Sequence, residues 1–129
     1  GKKITILGDN NKSLEIITDK DGKIISLKMN KIYDIGDKFL SYNTSLQKFT
    51  AENLIMVGCR FLPYNTSLQK FTVENLIKVG DDFLRRNNTL QELYFPNLTE
   101  VGDWFLNNNH KLRNKILSEI EKRNRRGRR

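Results

Sequence analysis

The sequence has few of the residues that form metal sites and covalent catalytic pairs. Among its 129 residues there is one cysteine, Cys59, and one histidine, His110. A single cysteine excludes an intramolecular disulfide and a cysteine-based zinc cluster. The only histidine lies far along the repeat pattern from Cys59, which argues against a nucleophile–base pair. We therefore expect no metal, no cofactor and no enzymatic activity, and we interpret Cys59 as a partly exposed thiol and His110 as a surface residue.

Long apolar runs are also absent. No stretch approaches the roughly 18 apolar residues that a membrane-spanning helix needs. The first residues, GKKITILGDNN, hold only a four-residue apolar run, which is too short for a signal-peptide core. Because the chain begins with Gly1 and not with Met, an upstream segment could have been removed, and this end leaves the compartment open. With 37% hydrophobic and 29% charged residues, the composition is typical of one folded domain or repeat array.

The positive charge lies at one end of the chain. The net charge is +8, but residues 110–129 hold nine basic and two acidic side chains, which leaves 14 basic and 13 acidic in residues 1–109. A basic tail can bind nucleic-acid phosphates, an anionic surface or an acidic protein, or it can simply add solubility. We keep nucleic-acid binding through this tail as the alternative function. Its candidate residues are Arg123, Arg125, Arg126, Arg128 and Arg129.

A repeat of 22 residues dominates the rest of the chain. The block NTSLQKFT occurs identically at 43–50 and 65–72. Four residue types recur at the same step in every repeat. The columns are Gly36, Gly58, Gly80, Gly102; Phe39, Phe61, Phe83, Phe105; Asn43, Asn65, Asn87, Asn109; and Leu46, Leu68, Leu90, Leu112. Such a period predicts a solenoid, in which each repeat buries its apolar edge against its neighbours.

Each repeat divides into a strand and a turn. Phe49 alternates with Ala51, and one repeat later Phe71 alternates with Val73, which predicts a short strand with one buried face. The Gly-Asp-x-Phe-Leu segment predicts a helical or 3₁₀ turn on the other side, with its aspartate as a cap and its glycine allowing a positive φ or a close approach to the next coil. The predicted caps are Asp37, Asp81 and Asp103. The strands are expected near 24–29, 46–51, 68–73 and 90–95.

Both ends of the chain depart from the repeat. Before the four repeats of residues 24–109, residues 1–23 contain KITIL and LEIIT, a pattern that predicts a β-hairpin capping the open edge of the solenoid. After the repeats, Leu112, Ile116 and Ile120 share one helical face. We predict a capping helix over 110–124, started by Asn109, followed by the disordered run RNRRGRR.

The segments IGDKFLSYNTSLQKFT and VGDDFLRRNNTLQELYFPNLTEVGDWFL resemble leucine-rich repeats of the BspA-like type. The resemblance covers residues 24–109. It implies an α/β repeat solenoid with a curved parallel sheet that serves in protein recognition, often in bacterial surface or host-interaction proteins. The fold class we expect is therefore a leucine-rich-repeat solenoid with an N-terminal hairpin cap and a C-terminal helix cap, acting as a monomer.

The outward positions of the predicted strands form a polar ladder. Solenoids bind partners through such extended faces, so we expect a protein partner here. Tyr94 is the expected anchor, because aromatic residues are enriched among interface hot spots. The alternative is that this strand face contacts only solvent and binds no partner. The candidate residues are Gln47, Lys48, Thr50, Gln69, Lys70, Thr72, Gln91, Glu92 and Tyr94.

Two further features have structural interpretations. The asparagine column is expected to satisfy backbone groups at the bend before each strand. Trp104, in a variable column beside Phe105, is either an exposed contact residue or part of the packing against the capping helix.

Overall fold

In a computed structural model, which describes residues 1–127, the 22-residue period becomes one coil of a β-solenoid. The solenoid makes about three turns and ends in a single helix. A 3₁₀ segment, Asp9–Asn11, joins the first two strands. The elements are β1 (Lys3–Leu7), β2 (Ser13–Thr18), β3 (Ile24–Asn30), β4 (Asp34–Ile35), β5 (Lys48–Ala51), β6 (Met56–Val57), β7 (Lys70–Thr72), β8 (Lys78–Val79), β9 (Glu92–Tyr94) and α1 (His110–Arg126).

Two sheets form walls of the solenoid. The larger has the strand order β1-β2-β3-β5-β7-β9, and the smaller has the order β4-β6-β8. Strands β3 to β9 of the larger sheet are parallel, with Phe49 opposite Phe71 and Phe71 opposite Leu93. Partners in register are therefore 22 residues apart, and the predicted stacking of parallel strands is confirmed.

The N-terminal segment extends the larger sheet. β1 and β2 are antiparallel, and β2 pairs antiparallel with β3, whose other side begins the parallel array. The segment thus adds two strands beside β3, and the outer edge of the sheet passes from β3 to β1.

Phenylalanine fills the core in two ladders. In the first ladder the ring centroids of successive coils are 5.4, 5.7 and 5.6 Å apart and nearly parallel. Its members are Phe39, Phe61, Phe83 and Phe105. The second ladder stacks Phe49 on Phe71 at 5.4 Å, and it meets the first edge-on, as where Phe49 contacts Phe61 at an interplanar angle of 83°. Stacked and edge-to-face contacts are the favoured aromatic geometries, so each coil orients the next.

The predicted helical or 3₁₀ turn after each Gly-Asp is wrong. In its place the backbone alternates in the sign of φ, with positive values at every second residue. The positive-φ positions are Lys38, Leu40, Tyr42, Arg60, Leu62, Tyr64, Asp82, Leu84, Arg86, Trp104, Leu106 and Asn108. The N–H of Lys38 donates to the carbonyl of Cys59, and that of Leu62 donates to Phe39. Because these amides bond between coils, the turns keep only isolated i to i+3 bonds, such as that from Arg85 to Asp82, and no 3₁₀ helix forms.

The aspartates of this turn also act between coils. Asp37 Oδ1 accepts the N–H of Cys59 at 2.7 Å, and Asp81 Oδ1 accepts the N–H of Asp103 at 2.8 Å. The prediction that they cap their own turn is therefore wrong, although the predicted acceptor role is correct. Cys59 occupies the same column, and its Sγ accepts the N–H of Asp81 at 3.4 Å.

The repeat glycines allow close approach of successive coils. A Cβ at Gly80 would lie 2.8 Å from the backbone nitrogen of Cys59 and 2.8 Å from the carbonyl carbon of Gly58. Glycine was predicted here either for a positive φ or for a close approach to the next coil. Neither Gly80 nor Gly36 has a positive φ, so close approach is the reason that applies. Gly36 begins the stack, and a Cβ there would meet nothing within 4 Å.

Helix α1 closes the end of the solenoid. Ile116 and Ile120 are buried on the predicted face, and Leu112 is partly buried against the same core. The helix follows Asn109 as predicted, but it continues to Arg126, so the predicted disorder of residues 123–126 is wrong. Arginine favours helix, and positive charge near a helix C-terminus is stabilising. Arg128 and Arg129 lie outside the described residues.

We predict that Gly80→Ala lowers the free energy of unfolding by about 2 kcal/mol, because the new methyl group must push two coils apart. Gly36→Ala is the matched control and should leave stability within about 0.5 kcal/mol or raise it slightly. Urea unfolding followed by circular dichroism measures both. Equal effects at the two positions would contradict the close-approach explanation.

Candidate functional site

The solvent side of the six-stranded sheet, hereafter the strand face, places two columns of side chains side by side. Register sets both columns, because residues two apart on a strand share a face. One column contains Lys3, Ile17, Ser26, Lys48, Lys70 and Glu92, and the other contains Thr5, Glu15, Lys28, Thr50, Thr72 and Tyr94. Five candidates named from sequence, Lys48, Thr50, Lys70, Thr72 and Glu92, therefore lie together with Tyr94 on one surface.

The three glutamines of the candidate ladder lie just before the strands. The N–H of Gln69 donates to the carbonyl of Gln47, and the N–H of Gln91 donates to the carbonyl of Gln69, both at 2.9 Å. All three side chains are exposed. They form a third polar row at the entry edge of the strand face, held at the coil spacing by their own backbone bonds.

Cations outnumber carboxylates on the strand face. Glu15 lies between Lys3 at 3.1 Å and Lys28 at 3.8 Å, and Lys70 pairs with Glu92 at 3.3 Å. Lys48, in the middle of the face, has no carboxylate within salt-bridge distance among residues 1–127. An exposed ion pair contributes little to stability, so these side chains are available to a partner. The sequence reasoning missed Lys3, Glu15 and Lys28, because only strand register brings the N-terminal strands onto this face.

Tyr94 stands at the end of the strand face beside helix α1. Its side chain is 51% exposed, and it lines an open groove of about 380 Å³. The opposite wall of the groove includes Lys115, Ile116 and Glu119 of α1. A half-exposed phenol next to a groove with apolar and charged walls matches the composition of an interface hot spot.

A second surface, hereafter the turn face, carries aromatic rings and arginines. Tyr42 and Tyr64 are stacked at 4.5 Å, and the guanidinium of Arg86 lies 5.7 Å from the centroid of Tyr64. Arg85 lies 5.7 Å from the ring of Trp104. Trp104 is 59% exposed and contacts this arginine. It is therefore an exposed surface residue and is not packed against the capping helix. The tyrosines do recur at the 22-residue step, which is the signal that sequence reasoning left unassigned.

The asparagine column has the predicted structural role. Asn65 and Asn87 are fully buried. Asn87 Nδ2 donates to the carbonyls of Leu62 at 2.8 Å and Arg85 at 3.2 Å. Asn43, at the start of the column, works in the opposite sense, because its Oδ1 accepts the N–H of Ser45 and of Leu46, both at 3.1 Å. The bond from Asn87 to Leu62 joins the bend of one coil to the backbone of its neighbour, whereas the bonds to Asn43 stay within one coil.

The basic segment divides into anchored and exposed arginines. Arg123 donates to the carbonyls of Phe95 at 3.3 Å and Leu98 at 2.7 Å, and these bonds fasten the end of α1 to the last coil. Arg125 and Arg126 are exposed on the last turn of α1. Arg123, which was predicted to belong to a free tail, is thus a structural anchor.

Among residues 1–127, the cysteine, histidine and acidic side chains do not form a cluster that could hold a metal ion. Cys59 is partly exposed, and His110 is the exposed first residue of α1. Across residues 1–127, no three His, Cys, Asp or Glu side chains lie where they could jointly hold a metal ion. Within the same residues, no helix has the length and apolar character to cross a membrane.

Comparisons with family models, curated proteins and solved structures found no match to this chain.

We predict that Asn87→Asp lowers the free energy of unfolding by about 3 kcal/mol or more, because a buried carboxylate would face two carbonyl oxygens and lose both donated bonds. Asn43→Asp is the control of identical chemistry. Its oxygen already acts as the acceptor, so we expect a change below about 1 kcal/mol. Thermal and urea unfolding measure both variants. Comparable losses of unfolding free energy would contradict the assignment of Asn87 as a donor and Asn43 as an acceptor.

Proposed function

We propose that this chain is a non-enzymatic recognition module that binds a protein partner through the strand face. The observation that carries the proposal is the exposure of Lys48, Lys70 and Tyr94, in neighbouring columns of a sheet whose backbone is fixed coil by coil. Rigid strands hold contact residues with little loss of conformational entropy on binding. The excess of lysine over carboxylate on this face suits a partner that presents acidic side chains.

We further propose that the coils are leucine-rich repeats of the BspA-like type. The support is the shared 22-residue period and the fully buried leucines at its fixed positions, among them Leu46, Leu68 and Leu76. The leucine-rich-repeat fold is associated with protein recognition, and that association agrees with the proposed role. The proposal concerns the class of function, because one repeat fold accommodates many different ligands.

The partner site is expected to centre on Tyr94. The tyrosine contributes an apolar ring and a hydroxyl at low conformational cost, and the groove beside α1 offers a place for a partner side chain. Lys48 supplies a positive charge with no carboxylate to compete for it among residues 1–127. An acidic residue of the partner can therefore pair with Lys48 without displacing an existing ion pair.

We predict that Lys48→Glu and Tyr94→Ala each weaken partner binding about tenfold or more, while leaving the thermal unfolding midpoint nearly unchanged. Lys38 is exposed and lies in the same repeat column as Trp104, on the turn face. Lys38→Glu is therefore the matched charge reversal and should bind as the unaltered chain does. Proteins retained by the immobilised chain are quantified by mass spectrometry and then titrated with each variant. Retained proteins that bind all three variants equally would refute the strand face as the site.

The second candidate function is binding of nucleic acid through α1. The observation in its favour is the pair Arg125 and Arg126, exposed on a segment that carries most of the net charge. Phosphate binding by such a segment must weaken steeply as salt rises, because each contact releases counterions.

We predict that Arg125→Glu with Arg126→Glu abolishes any salt-sensitive binding to duplex DNA or single-stranded RNA while α1 stays docked. The double variant keeps Arg123 and its bonds to Phe95 and Leu98, so it is a cleaner test than truncation after residue 122. Fluorescence anisotropy at several salt concentrations is the measurement. Binding that vanishes in the double variant would favour this second function, and no binding by the unaltered chain would remove it.

A further inference from the structure

β1 is the outermost strand of the larger sheet, and one of its edges is unpaired within residues 1–127. The N–H of Thr18 donates to the carbonyl of Lys2, and the N–H of Gly8 donates to the carbonyl of Lys12, both at 2.9 Å. Hydrogen-bonded pairs alternate in an antiparallel ladder. Even-numbered residues of β1 therefore bond to β2, and Lys3, Thr5 and Leu7 direct their N–H and C=O groups to the open side.

The apolar side chains of β1 are half uncovered. Ile4 lies opposite Ile16 in the sheet, and Ile16 lies opposite the buried Leu27, so Ile4 belongs to the core face. Ile4 is nevertheless 44% exposed and Ile6 is 51% exposed. Leu7, at the end of the strand and on the opposite side of the sheet, is 79% exposed. The apolar layer of the sheet thus continues to its last strand and ends without a cover among the described residues.

The edge has few of the usual protections against pairing. Natural edge strands carry prolines, bulges or charged side chains, especially lysine, that hinder the approach of another strand. β1 has the sequence KITIL, five residues with neither proline nor glycine, in continuous register with β2 and with one charged side chain. A second extended strand can therefore add to it along its whole length.

We propose that β1 pairs with β1 of a second copy of this chain, antiparallel and about a twofold axis at Thr5. The free backbone groups fit this register, because Thr5 would exchange two hydrogen bonds with its own counterpart, and Lys3 would exchange two with Leu7 of the other copy. On the core face Ile4 of each copy meets Ile6 of the other. One strand sequence thus supplies both halves of an isologous interface.

The distribution of charge favours this arrangement. In the proposed register Lys3 lies opposite Leu7 and not opposite another Lys3, so no like charges are paired. Residues 1–109 carry 14 basic and 13 acidic side chains, and most of the net charge lies in the C-terminal segment, at the far end of the sheet from β1. Across twelve strands at about 4.8 Å each, the two basic ends lie roughly 50 Å apart, well beyond the screening length of about 8 Å in physiological salt.

The resulting dimer has one continuous twelve-stranded sheet, to which each copy contributes its own strand face. The contact consists of one strand edge and a few apolar side chains, so it falls at the small end of protein interfaces, and we expect weak association, with a dissociation constant of roughly micromolar or weaker. The pairing is independent of what the strand face binds, so its failure would leave the proposed function standing.

Sedimentation equilibrium of the 129-residue chain from about 10 μM to 1 mM, a range that brackets the affinity expected of a small interface, tests the proposal. Reducing agent is present so that Cys59 cannot cross-link. Thr5→Pro removes an N–H on the open side, which β2 does not use, and its ring also fixes φ at this position; it should weaken dimerisation at least about tenfold. Thr5→Val keeps the N–H and should dimerise as the unaltered chain does.

A second pair of variants tests the apolar contact. Ile6→Lys places a charge against Ile4 of the other copy and should weaken the dimer by a similar factor. Ile17→Lys adds the same charge at an exposed isoleucine of β2, on the strand face and away from the edge, and should leave dimerisation unchanged. Far-ultraviolet circular dichroism of each variant shows whether the coils remain folded.

The register itself is tested by isotope-filtered nuclear Overhauser spectroscopy on a mixture of labelled and unlabelled chain. Contacts between Ile4 of one copy and Ile6 of the other are the expected result. A chain that stays monomeric to 1 mM, or a dimer equally stable in Thr5→Pro, would overturn the proposal. Contacts from β1 to any other part of the second copy would overturn it as well.

Discussion

The stacking of one phenylalanine on the next, once per coil, is the interaction on which the rest of this structure depends. Phe39, Phe61, Phe83 and Phe105 form a column whose rings are nearly parallel, and a coil displaced along the stack or rotated within it would lose these contacts. The 22-residue register follows from that column. Every exposed feature, from the lysines of the strand face to the tyrosines of the turn face, inherits its spacing from the same repeat.

Sequence periodicity predicted the coil because burial repeats with it. Columns such as Leu46 with Leu68 and Phe39 with Phe61 are buried or partly buried against the same core in every repeat, so a single pattern defines the stacked parallel strands. The conformation of the turn could not be read in this way. Adjacent Phe61 and Leu62 are both buried, which is also what one turn of helix would allow, and the inter-coil hydrogen bonds that decide between the two arrangements leave no apolar period.

The candidate site was predictable only where it belongs to the repeat. Lys48, Lys70 and Tyr94 follow from strand alternation, whereas Lys3, Glu15 and Lys28 reach the same surface through the pairing of β1, β2 and β3, which no repeat position encodes. Arg123 shows the same limit at the other end. It contacts the carbonyls of Phe95 and Leu98, which lie 28 and 25 residues away in the chain, so the local sequence does not encode its role.

The near-identity of adjacent coils has a kinetic consequence. The first three residues of β5 and all of β7 lie in two copies of the same octapeptide, NTSLQKFT. During folding β7 can therefore dock on β3 in place of β5, with almost the same contacts, and loop out one whole repeat. Such a misaligned intermediate buries nearly native surface and must partly unfold before the chain can correct itself. Substitutions that make the two copies different would therefore speed folding even where they leave the stability of the native solenoid unchanged.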